Sequence, residues 1–156
     1  MVKVFDARRA IFIPATGGHP HLAEYRVAWG YERWEEPVAV SKVQMVYHNK
    51  VAGRLSPSYP VDSLDERAVL LALDLVKKNY GTSSKKSKVV LVLKEIQAGE
   101  TEDEVLERTE NEVHNMNIEM FTPPGAAIGP VVDIDFMEKI EVEENLVAFL
   151  FTVDAA

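Results

Sequence analysis

The sequence predicts an α+β protein: a mixed, mainly antiparallel sheet with two helices packed on one face. Three observations carry this expectation. Two capping boxes, Ser63-Leu64-Asp65-Glu66 and Thr101-Glu102-Asp103-Glu104, each open a segment with helical periodicity. A series of β-prone segments flanks and separates them. The order runs several strands, helix, strand, helix, several strands, which is not the regular alternation of a doubly wound fold.

Along the chain, Val2–Phe5 and Ala10–Ile13 are short and β-prone. Tyr25, Val27, Trp29 and Tyr31 alternate with Arg26, Ala28, Gly30 and Glu32, the two-residue period of a strand. Val38–Tyr47 is another such run, and His48-Asn49-Lys50 turns it into Val51–Leu55 as a hairpin. The first helix is expected over about 64–80, wide in its apolar surface and stopped by Gly81. The second is expected over about 102–115 as a surface helix, with a narrow stripe of Val105, Leu106, Thr109, Val113 and Met116. Val89–Leu93 and Leu146–Val153 are almost continuously apolar, as central strands covered on both faces are. Val131–Phe136 and Lys139–Val142 are shorter strands that meet near Met137-Glu138. The polar segment Gly81–Lys88 is read as a flexible connection inside a single domain over residues 1–156.

Composition narrows the chemistry. The 156 residues are 47% hydrophobic, enough for one sizeable core. With no cysteine, the chain has no disulfide, thiolate zinc site, iron–sulfur ligand or cysteine nucleophile. The N-terminal residues lack a signal-peptide layout, since the apolar run Ala10–Ala15 is short and broken by Pro14. No stretch reaches the roughly 18–20 apolar residues of a membrane span. A cytoplasmic location without a membrane partner is therefore expected. The net charge of −8 hides a division: residues 1–88 carry 14 Lys/Arg and 9 Asp/Glu, net +5, whereas residues 89–156 carry 3 and 16, net −13. The overall negative field disfavours nucleic acid as a partner. The division favours self-association or a charged partner.

Several clusters could carry chemistry. His19, His21 and Glu24 form a compact metal-type set, because residues two apart in an extended segment share a face. The order resembles the His-x-His…Glu motif of cupins, but the interval from His21 to Glu24 is too short and the downstream half of that motif is absent, so the family is not assigned. A divalent metal is the candidate cofactor. Asp133, Asp135, Glu141 and Glu143 would share one sheet face as a cation or acid–base site, or simply protect an edge strand from pairing. The uncharged loop Phe121–Pro130 offers Phe121, Pro123, Pro124, Gly125, Ile128 and Gly129 as an interface or pocket wall. Lys85, Lys86 and Lys88 form a candidate anion site, and Arg26, Trp29 and Arg33 a candidate stacking surface for single strands. The leading functional expectation is a homo-oligomeric binding or assembly protein with a small-ligand site at a subunit boundary. The alternative is a metal-dependent enzyme using the histidine pair and Glu24.

Overall fold

The computed structural model describes residues 4–84 and 86–156. Among these, seven strands form a single sheet and two helices pack against it. In chain order they are β1 (Phe5–Pro14), β2 (Ala23–Arg33), β3 (Pro37–Tyr47), β4 (Lys50–Ala52), α1 (Asp65–Lys77), β5 (Ser87–Glu95), α2 (Glu102–Phe121), β6 (Val132–Glu143) and β7 (Leu146–Ala155). The sheet order is β4-β3-β2-β1-β5-β7-β6. All neighbours are antiparallel except β1 and β5, which run parallel. The mixed, mainly antiparallel α+β class is as expected.

The helices lie on opposite faces rather than on one. Ile11, Ile13, Val89, Leu91, Ala148 and Leu150 pack with Ala68, Val69, Ala72 and Val76 of α1. Their alternates Ala10, Phe12, Val90, Val147, Phe149 and Phe151 pack with Val105 and Val113 of α2. The continuous apolar runs of β5 and β7 explain this, because such strands present apolar side chains to both faces and each face needs cover.

Element boundaries differ for local reasons. The β1 ladder runs unbroken from Phe5 to Pro14 through a bulge between Ala7 and Arg9, so two expected short strands are one; residues 2 and 3 of the first expected strand lie outside the described residues. β6 likewise joins two expected strands through a bulge at Met137. Helix α1 is shorter than expected and solvent-facing on one side, with Leu70 exposed. The Ser63 hydroxyl does not reach Glu66; it donates to the Pro60 carbonyl at 2.7 Å and accepts from the Asp65 amide at 3.2 Å. Asn79, at φ 72°, takes the left-handed position that ends α1, and Gly81, at φ 108°, lies where a Cβ would be 2.7 Å from the Ala10 carbonyl oxygen. Helix α2 does use its capping box, with the Thr101 hydroxyl accepting from the Glu104 amide at 3.2 Å. It runs on to Phe121 because Asn117 and Met120 continue its buried stripe. The β3–β4 hairpin turns through His48 and Asn49, both at positive φ.

Candidate functional site

The parallel pair creates the site. β1 and β5 are paired only at Ile11–Val89 and Phe12–Val90. Beyond those residues the two strands part, although β1 stays paired with β2 to Pro14 and β5 with β7 to Glu95. The opening is a crevice of about 580 Å³ at the carboxyl ends of the two strands. Because the sheet is split there, both helices reach it. Ser63, Leu64, Asp65 and Ala68 at the start of α1 line one side, and Glu112, Val113 and Met116 of α2 the other. Ile13 and Leu93 add apolar wall, and Lys94 and Glu95 stand at the end of β5. Its size falls among small-molecule pockets, about 300–1,000 Å³. Its position, at the carboxyl ends of two neighbouring parallel strands and between helices that cover opposite faces, is where open sheets commonly hold ligands.

A buried polar network shapes one wall. Asp65 is 3% exposed and Tyr25 fully buried. The Asp65 carboxylate accepts from the Thr16 amide at 2.9 Å, the Thr16 hydroxyl at 2.6 Å and the Tyr25 hydroxyl at 2.7 Å. Burial, then the hydrogen bond to Asp65 and its negative charge, drives the Tyr25 phenol far above its ordinary pKa. Tyr25 has one hydroxyl proton and two acceptors in reach, Asp65 and the Ser58 carbonyl at 2.8 Å. Directed to the carboxylate, it leaves the Ser58 carbonyl to accept from Nε2–H of His19, 2.8 Å away. The network ties the β1–β2 loop and the segment before α1 to the strand beneath them.

A second buried centre lies on the α2 face. Lys88 Nζ donates to both oxygens of Glu24, at 3.2 and 3.0 Å, and to Oδ1 of Asn117 at 3.1 Å. It also lies 4.7 Å from the Phe12 ring centre and 5.5 Å from that of Phe121. Glu24 and Lys88 are 0% and 1% exposed. Glu24 is on β2 and Lys88 on β5, so the pair bridges β1, which runs between them. Burial pushes the Glu24 carboxyl upward, and Lys88 opposes that shift.

The residues singled out from sequence are distributed differently. His19 joins the Tyr25 network, His21 Nε2 is 2.7 Å from Glu119 Oε1 on α2, and Glu24 is inside with Lys88. His21 and Leu22 form a turn in which the Ala23 amide donates to the Pro20 carbonyl at 3.1 Å and Leu22 stands at φ 64°, so the stretch from His19 to Glu24 is not the extended segment that would have aligned the three side chains. Among the described residues, no group of three or more His, Cys, Asp or Glu side chains converges as a metal site. Lys88 is buried, so it does not share a solvent-facing anion site with exposed Lys86; Lys85 lies outside the described residues. The bulge at Met137 divides the carboxylates: Asp133 and Asp135 pair opposite Asp154 and Thr152 on the α1 face, whereas Glu141 pairs opposite Val147 on the α2 face. Glu143, after a second irregularity, meets Arg67 of α1 at 2.6 Å. Arg26 and Trp29 occupy opposite faces, Arg26 on Gln44 and Trp29 under the Arg9 guanidinium at 4.0 Å, so with Arg33 they form no common stacking surface. Pro123, Pro124, Gly125 and Ile128 are exposed, while Phe121 and Gly129 are half-buried. None of these loop residues lines the crevice.

Sequence reasoning missed Asp65, Tyr25 and Lys88 as network members. One signal was legible: Asn117 stands four residues after Val113 on the stripe of α2, and although its amide nitrogen can donate back to the Val113 carbonyl, its amide oxygen needs a donor from outside the helix. No known family, curated protein or solved structure matches the chain.

Proposed function

We propose that this protein is a small-molecule-binding protein whose ligand occupies the crevice between the parted ends of β1 and β5. The observation that carries the reading is the split itself. Two strands that pair over only two residues leave an apolar hollow of about 580 Å³ between the start of α1 and the middle of α2. Asp65 and its partners hold the Thr16 side of that hollow in place. The test is a fragment screen followed by methyl NMR. Ligands should shift Ala68, Leu93 and Met116 together, and Met116→Trp, which fills the hollow, should abolish those shifts while the protein stays folded. Shifts scattered over the surface, or unaffected by Met116→Trp, would remove the reading.

A second reading, self-association, is supported by the uncharged loop after α2. Ile128 is 86% and Val131 67% exposed, more apolar surface than a solvated loop requires. The two readings are compatible, because the loop and the crevice share no lining residue.

A further inference from the structure

We propose that the crevice selects an uncharged, mostly apolar molecule carrying an amide-like edge, and rejects carboxylated and phosphorylated ones. This rests on reading the crevice as the ligand site. Four consecutive residues of β5, Val92 to Glu95, line it. Successive side chains of a strand point to opposite faces, so a hollow lined by four in a row runs along the edge of the strand and not over one face. The far edge of β5 is paired with β7 through Glu95, and the near edge has no ladder partner beyond Val90. A strand edge presents amide hydrogens and carbonyl oxygens in alternation. A group that both donates and accepts, as an amide or a heterocyclic lactam does, complements such an edge. A carboxylate or phosphate only accepts.

The side chains point the same way. Among the described residues that line the crevice, Lys94 is the only cation, and it is held by Glu112 at 3.1 Å. Asp65 is committed to Thr16 and Tyr25, and Ser63 to the Pro60 carbonyl and the Asp65 amide. An entering anion therefore meets no free positive charge, and it meets the carboxylates of Asp62 and Glu95 at the rim. A charge carried between Ile13, Leu64, Leu93 and Val113 would be desolvated without a partner.

Matched pairs of equal shape test this: indole-3-acetamide against indole-3-acetate, and 2-naphthamide against 2-naphthoate. Binding is followed at the Ala68, Leu93 and Met116 methyls at neutral pH, with Met116→Trp as the control that locates the site. Each amide should bind about tenfold or more tightly than its acid. Acids that bind as well as the amides, at the same methyls, overturn the ligand class while leaving the crevice as a binding site. If neither member of either pair moves these methyls, the functional reading fails and this inference with it.

Discussion

At the scale of single residues, the strongest consequences come from Lys88. Its ammonium is buried with three side-chain oxygens and two aromatic rings around it, so its charge is matched where water is absent. Lys88→Met leaves Glu24 buried without its cation and should cost about 3–5 kcal/mol in urea unfolding. Glu24→Leu with Lys88→Met removes both charges and should be less damaging than Lys88→Met alone. A double variant as unstable as the sum of the two single ones would show that the pair is not coupled. A lysine at the head of an apolar strand gives no hint of such a role, because the Lys cluster around it looks solvated in one dimension. Only the sheet order sets Glu24 and Asn117 beside it.

At the scale of elements, the Asp65 network is a strap. It fastens the β1–β2 loop to the start of α1 through Thr16, and both to β2 through Tyr25. Its pH dependence has a defined sign. The Tyr25 pKa is raised in the folded state, so its contribution to stability is complete below the ordinary phenol pKa of 10.0 and is lost as pH rises toward the folded value. In an absorbance titration, Tyr25 should remain un-ionised after the exposed tyrosines have titrated. Tyr25→Phe should remove that last phase and cost about 1–3 kcal/mol near neutral pH, because Asp65 loses a buried donor. Superimposable titration curves would refute the strap. The elements themselves were largely legible. The His48-Asn49 turn, both helix starts and the central strands β5 and β7 stand near where periodicity and turn chemistry put them. The bulges in β1 and β6 were not, since a bulge depends on the partner strand and leaves no mark in the residues of its own.

At the scale of the whole molecule, the sheet order turns the charge division of the sequence into a lateral one. Strands β1 to β4 carry the +5 segment with α1, while β5, β7 and β6 continue the −13 segment with α2. No helix among the described residues is long and apolar enough to cross a membrane. If copies associate through the exposed loop with their opposite halves facing, the sedimentation coefficient should rise with concentration in low salt and fall back as salt screens the attraction. Ile128→Asp should hold the protein monomeric. A single, concentration-independent species at low salt would exclude the self-association reading.

The sequence by itself determined the class of fold, the helix starts, the turn between β3 and β4 and the two-sided burial of β5 and β7. These follow from periodicity, capping and turn residues acting within a few positions of one another. Only the tertiary structure decided that the helices cover opposite faces, that Glu24 meets Lys88 across β1, that the histidines diverge and that β1 and β5 part to open a crevice. Each of these depends on which strand lies beside which, over separations such as the 64 residues between Glu24 and Lys88. That neighbourhood is set by burying apolar surface across the whole chain, and no local pattern encodes it.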